Sequence, residues 1–292
     1  MMAESHIATF PVRDYDLATT LTCGQAFRWQ QADGGWVGIV GRHWVRLRAG
    51  ESLIHAEAAQ SVSDWAWLID YLQLGVDLGA VLRTFPPDAP LRAAVANCHG
   101  LRILRQDPWE CLASFILSST KQIVQIRAII SMLCDRFCAP LRVSPPYPPA
   151  RAFPSAVRLA KAAEQELREC KMGFRAPYLR AAAIAVARRD LDLADLGRLP
   201  VELARAELMT LPGVGHKIAN CVLLFAYGFP TAFPLDVWVR RALNQLYFPN
   251  RQVPLKQLQH FARTHFGPNA GYAQQYLFHF MRRPHRRAGG TL

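Results

Sequence analysis

Residues 208–236 read LMTLPGVGHKIANCVLLFAYGFPTAFPLD, and the fold is decided by how this stretch turns. One helical pattern runs in over residues 203–209 and another runs out over 217–227, with Leu211-Pro212-Gly213-Val214-Gly215 between them. Proline ends the first helix, and Gly213 and Gly215 are expected at positive φ, leaving backbone amides uncovered where the second helix begins. Amides presented in this way form a phosphate site. Ile218, Val222 and Phe225 recur at i, i+4 and i+7, so the second helix turns one stripe into a core.

Lys217 stands in the first turn of that helix. An ammonium there opposes the helix dipole, so the position favours the free amine, a nucleophile toward a sugar or carbonyl carbon. The chain has five lysines against 29 arginines, which sets this lysine apart. Asp236 follows nineteen residues later, after a loop punctuated by Gly228, Pro230 and Pro234 and just before an apolar run at 237–246. An aspartate there caps the next helix, and the loop is long enough to return its carboxylate to the mouth of the Lys217 helix.

The 292 residues suffice for one large core or two to three small ones, and 51% are hydrophobic. The net charge of +12 is uneven: residues 1–100 carry seven basic and ten acidic side chains, residues 101–292 carry 27 and 12. From 237 to 292 there are nine Lys or Arg and no acid, the electrostatic footprint of a nucleic-acid-binding face. No apolar run reaches the roughly 18 residues of a membrane span, and the N-terminus lacks the pattern of a signal peptide. A soluble protein is expected, cytoplasmic and at the nucleoid if bacterial. The seven cysteines form no CxxC pair and are read as buried thiols, so neither metal nor cofactor is expected.

The first 60 residues read as short strands. Residues 26–30 alternate with Phe27 and Trp29 on one face, Asp33-Gly34-Gly35 is a hairpin turn, and residues 36–40, 43–48 and 52–56 follow between glycines. Trp65, Leu68, Ile69 and Leu72 mark a helix across this sheet, and residues 88–98 make another. From Asp107 the pattern is helical: Asp107, Pro108 and Glu110 stand as N-cap, N1 and N3 of a capping box. Apolar residues then recur at helical spacing from Ile123 to Phe137, and Ser155 restarts helices that run to 189. The fold class is α+β. A sheet domain over 1–98 precedes two helical subdomains over 99–292, which hold the hairpin (203–227) and the loop (228–236).

LPGVGHKIANCVLLFAYG followed by PLDV resembles the helix-hairpin-helix and Gly/Pro-Asp signature of base-excision DNA glycosylases. The resemblance implies that the Gly213, Val214 and Gly215 amides hold a DNA phosphate. It also implies that Lys217 is the nucleophile of a bifunctional member and Asp236 the essential carboxylate. Gly24-Gln25-Ala26-Phe27-Arg28-Trp29 resembles a motif of the 8-oxoguanine branch. From the residues alone Gly24 is a strand-edge glycine that lets another group approach the backbone; the resemblance implies that its carbonyl reads the N7 hydrogen of the damaged base. Residues 267–278 resemble the segment that holds the flipped purine, which implies that Gln274 bonds its Watson–Crick edge while Phe278 and Cys221 stack on its two faces. Gln106-Asp107-Pro108 and Gly173-Phe174-Arg175-Ala176 resemble the same branch, and Phe174 and Arg175 are expected DNA contacts. The iron-sulfur branch is excluded, because no cysteine follows Cys221.

The chain departs from the pattern on the side of the opposite strand. Thr120, Lys121 and Gln122, expected to contact DNA, stand where eukaryotic members carry three asparagines; Gln125 replaces an arginine that reads cytosine, and Trp238 a usual histidine. Weaker selectivity for cytosine is expected. The substrate implied is double-stranded DNA with a damaged purine, bound by a monomer, the base being excised through a lysine Schiff base with β-elimination. Two other readings stand beside it: an alkylated-base glycosylase of the same fold, which would work through Asp236 and water, and a catalytically silent lesion-binding protein that uses the hairpin as a clamp.

Overall fold

Strands Ser5–Pro11 (β1), Gln30–Ala32 (β2), Gly35–Val40 (β3), His43–Gly50 (β4) and Leu53–Val62 (β5) form one antiparallel sheet in the order β1-β5-β4-β3-β2. The coordinates are a computed structural model, describing residues 5–119, 122–143 and 145–282. In register, Trp36 pairs with Leu47 and Val45 with Ala58. One face of the sheet buries Val45, Leu47, Ile54 and Ala56 against Leu68, Tyr71 and Leu72 of the helix Ala66–Leu72. Ile69, expected on that face, is exposed.

The stretch before β2 differs from its expected strand. Leu17–Thr22 is a helix capped by Asp16, whose Oδ1 accepts from the Thr19 amide at 2.9 Å, and residues 26–29 are not a strand. Trp29 lies over Gly38 of the sheet and donates its indole N–H to the Tyr71 hydroxyl at 2.8 Å. Phe27 instead meets Phe115 of the helical region edge-on at 5.5 Å. The alternation of two buried aromatics is therefore real, but each ring serves a different core.

Helices make up the rest of the described chain and share one core built around Pro108–Leu117 and His216–Val222. Asp107 caps Pro108–Leu117 by accepting from the Glu110 amide at 2.8 Å. Glu110 does not complete the expected capping box: its carboxylate pairs with Arg28 at 3.4 Å and ties the two regions together. The helix His216–Val222 continues as a π-helical turn over Leu223–Tyr227, with Ile218, Val222 and Phe225 buried as their spacing requires. The loop after it docks on the helix Ala270–Arg282, where the Gly271 amide donates to the Pro230 carbonyl at 2.8 Å. That contact fixes the Asp236 loop relative to Gln274.

Candidate active site

A cavity of about 430 Å³ opens between the hairpin helix, the start of the helix Ile123–Phe137, the Gly24 loop and the last helix, within the range of ~300–1,000 Å³ common to small-molecule sites. Lys217, Cys221, Asp236, Gly24, Gln274, Phe278 and Gln122 all line it. Six helical or loop segments, spread over most of the sequence, converge there.

One wall carries the amine and the carboxylate. Lys217 Nζ donates to Ser118 Oγ at 2.9 Å and lies 5.3 Å from the centroid of the Phe115 ring. Ser118 is the C-cap of Pro108–Leu117 and donates its own proton to the Phe115 carbonyl at 2.8 Å. Its lone pairs are thereby turned toward the lysine, which aims the amine into the cavity. Asp236 caps Val237–Leu246, its Oδ1 accepting from the Val239 amide at 2.8 Å. Burial pushes its carboxyl above the ordinary carboxylate range, against the opposing pull of that amide, of Lys217 and of Arg282. Lys217 and Asp236 face one cavity without forming an ion pair with each other among the described residues. Cys221 lies one turn after Lys217; burial pushes its thiol up to about 12, so it presents a neutral sulfur.

The opposite wall presents hydrogen-bonding groups. Gly24 is not at a strand edge; it sits at φ +89° in the loop after Leu17–Thr22. Fully buried Gln25 anchors that loop: its Nε2 donates to the Thr20 and Arg102 carbonyls at 2.9 and 2.8 Å, and its Oε1 accepts from the Leu104 amide at 2.9 Å. The carbonyls beside Gly24 are occupied, Cys23 by Gln275 Nε2 at 3.3 Å and Gln25 by Gln106 Nε2 at 2.8 Å. The Gly24 carbonyl has no partner among the described residues. Gln274 is 2% exposed, and its buried Oε1 likewise lacks one. A buried polar atom such as Gln274 Oε1 left open costs on the order of 1–3 kcal/mol, and together with the open Gly24 carbonyl it describes a site complementary to a ligand with N–H donors.

The hairpin lies outside the cavity. Gly213 has φ +78°, with a Tyr178 ring carbon 2.5 Å from where a Cβ would stand, so only glycine fits there. Gly215, expected at positive φ, is extended (φ −102°, ψ −176°) and serves as N-cap. The Val214 side chain is buried, and its amide donates to the Leu211 carbonyl at 3.1 Å. The Gly213 and Gly215 amides have no acceptor among the described residues and remain available to an anion. Phe174 is exposed and Arg175 is 2% exposed, its guanidinium 4.3 Å from the Phe174 ring centroid. Arg175 therefore supports Phe174 from beneath. Thr120 and Lys121 lie outside the described residues. Gln125 is exposed, and its Oε1 accepts from the Gln122 amide at 3.1 Å.

Sequence reading passed over Ser118 and Arg282. Ser118 carried no motif of its own. Arg282 continues the Gln274, Phe278 spacing by four more residues, a stripe that could have been followed. Apolar Val124 and Trp238, both exposed, line the cavity as well. Among the described residues no helix is long and apolar enough to cross a membrane, and no group of three or more His, Cys, Asp or Glu could hold a metal ion.

The chain matches the family of the 8-oxoguanine DNA glycosylase N-terminal domain over residues 7–112 and the HhH-GPD superfamily of base excision DNA repair proteins over residues 113–265. It is 30% identical to a probable N-glycosylase/DNA lyase of Methanothermobacter thermautotrophicus, covering 94% of this chain and 95% of that one. The structure of MBOgg1 with a low-affinity DNA ligand superposes with a TM-score of 0.90 at 32% identity, covering 96% of each chain. That of the Clostridium acetobutylicum 8-oxoguanine glycosylase/lyase, in complex with double-stranded DNA containing cytosine opposite 8-oxoguanine, gives 0.86 at 29% identity over 96% of this chain and 98% of that one.

Proposed function

The chain belongs to the HhH-GPD superfamily of base-excision DNA repair proteins, in its 8-oxoguanine glycosylase/lyase branch, and on that premise we propose that it excises 8-oxoguanine from double-stranded DNA through Lys217. The observation that carries this reading is the cavity itself, which has an amine and a carboxylate on one wall and two unpaired acceptors on the other. The C1′ of a stacked nucleotide is out of reach, so the base must rotate out, at a cost of a few kcal/mol. The open hairpin amides of Gly213 and Gly215, exposed Phe174 and the basic second half of the chain offset that cost.

The flipped purine lies between Cys221 and Phe278, its Watson–Crick edge on Gln274 and its N7 hydrogen on the Gly24 carbonyl. Guanine has no hydrogen at N7, so it would leave that acceptor unpaired, which is how a buried polar site discriminates. The Lys217 Nζ lone pair attacks C1′, the C1′–N9 bond breaks, and the base departs with the bonding pair and a proton released from Nζ. Asp236 stabilises the cationic sugar as this happens. Ring opening gives an imine between Nζ and C1′, and loss of the C2′ proton expels the 3′ phosphate and nicks the strand. Lys217 and Ser118 have no use in hydrolysis through Asp236 alone, and this favours the present reading over an alkylated-base glycosylase. The enzyme acts as a monomer.

Single-turnover incision of duplexes containing 8-oxoguanine, 3-methyladenine or guanine tests the proposal. Excision and nicking at 8-oxoguanine alone is the expected outcome. Turnover of 3-methyladenine in preference, or binding without incision, would overturn it.

A further inference from the structure

Arg282 is the last described residue of the helix Ala270–Arg282, two turns beyond Gln274 and one beyond Phe278, and its side chain lines the cavity. A Cβ at Gly24 would stand 3.0 Å from Arg282 Nη1, 3.1 Å from Ile123 Cδ1 and 3.3 Å from Phe278 Cε1. The guanidinium thus flanks Gly24, whose carbonyl has no partner among the described residues. It lies 5.0 Å from the Phe278 ring centroid, so the ring assigned to stack on the base also carries this cation.

The charge is not spent on the protein. Among the described residues Arg282 makes no ion pair and no hydrogen bond. Burial holds its proton affinity below the ordinary arginine value, while Cys23 and Asp236 pull the other way. Arg127 is depressed too, by burial and then by the charge of Arg282, and its buried Nε has no partner. Among the described residues neither guanidinium has a carboxylate in an ion pair. Arginine donors that line a cavity and are unpaired among the described residues can meet a ligand acceptor there.

The purine edge beside Gly24 has one acceptor that undamaged guanine lacks. If N7–H bonds the Gly24 carbonyl, the next atoms toward the sugar are C8 and its exocyclic oxygen, then N9. Arg282 Nη1 reaches to 3.0 Å from a Cβ position at Gly24 and lines the same cavity as Lys217 and Asp236, so its donors stand beside that contact, within the space a C8 oxygen would enter. We infer that Arg282 donates to the C8 carbonyl of the flipped 8-oxopurine and is a second lesion-reading group beside the Gly24 carbonyl. This inference rests on the proposed 8-oxoguanine activity. Under it the carbonyl of Gly24 reads the added hydrogen and Arg282 the added oxygen, so the site tests both atoms that distinguish the lesion from guanine.

The test compares wild type, Arg282→Leu and Arg282→Lys on a duplex with 8-oxoguanine and on the same duplex with a preformed abasic site. Arg282→Leu should lower single-turnover excision of 8-oxoguanine by about tenfold or more, the scale of a lost hydrogen bond to a charged donor. Incision at the abasic site, where there is no base to read, should stay within about twofold and reports that the fold and Lys217 are intact. Arg282→Lys, which keeps a cationic donor, should recover part of the loss. A duplex with 8-oxoadenine, which keeps the C8 carbonyl but has an amine at C6, should lose binding by a comparable factor in Arg282→Leu. An equal fall on the lesion and on the abasic site would overturn the inference and make Arg282 a backbone or catalytic-wall contact, and an unchanged rate on 8-oxoguanine would overturn it outright. If wild type incises abasic DNA but leaves 8-oxoguanine in place, it is the underlying activity that fails.

Discussion

Lys217 and Asp236 are held on one wall of the cavity by a single continuous stretch, the hairpin helix and the loop that follows it. Gly24 and Gln274, on the other wall, meet only because the first and last parts of the chain pack together, with Gln275 donating to the Cys23 carbonyl and Gln25 bracing the loop from behind. The reacting groups thus share one continuous stretch, with Ser118 of a remote helix aiming the amine, whereas the reading groups come together only through contacts between remote segments. Damage to the first wall should abolish chemistry on every substrate. Damage to the second should affect only strands that still carry a base.

The largest effect is expected from Lys217→Gln, which removes the nucleophile. Incision should fall by roughly 10³-fold or more on lesion and abasic DNA alike. A fall confined to the lesion substrate would merge the two walls.

Asp236→Asn comes next. Excision should drop by roughly 10²–10³-fold, the scale of a lost electrostatic stabiliser, while the helix cap is kept by the amide oxygen. Because burial raises the carboxyl in the folded state, its contribution to stability is present below the unfolded value and lost as pH rises through the folded one. Ionised Asp236 therefore opposes folding at neutral pH, and Asp236→Asn should melt at the same temperature as wild type or higher at pH 7. Thermal melts taken from pH 7 downward check the sign, since the advantage should shrink as pH falls through the raised folded value toward the unfolded one. The acid limb of wild-type excision should accordingly lie above the ordinary carboxylate range.

Gln274→Ala should cost about 10- to 100-fold on 8-oxoguanine, the price of one or two good hydrogen bonds. Abasic incision should barely change, which single-turnover rates on both substrates will show. Ser118→Ala removes the acceptor that aims the amine and should slow both substrates about five- to tenfold, equivalent to ~1 kcal/mol. The smallest effect concerns the partner strand. With Gln125 occupied by the Gln122 amide, excision opposite the four bases should differ by only a few-fold, and a strong preference for cytosine would contradict this.

The contrast between the walls also explains what could be read from the residues. Pro212, Gly213, Lys217 and Asp236 specify their own turns and caps within a short window, so that wall was legible together with the α+β organisation around it. The Gly24 loop was misread because Phe27 and Trp29 alternate like a strand while serving two different cores, a distinction made only by the partners Phe115 and Tyr71. The burial of Arg175 beneath Phe174 leaves no mark in a four-residue motif. Arg282 read as one more basic residue in a basic tail. Its place beside Gly24 comes from packing between residues more than 250 positions apart, where no periodicity reaches.

The central claim is a covalent bond from one lysine, and the direct measurement is to reduce the reaction on 8-oxoguanine DNA with borohydride and map the modified peptide by mass spectrometry. The sugar remnant should sit on Lys217. A remnant on any of the other four lysines or on the N-terminal amine, or strand incision with no adduct trapped, would contradict the account.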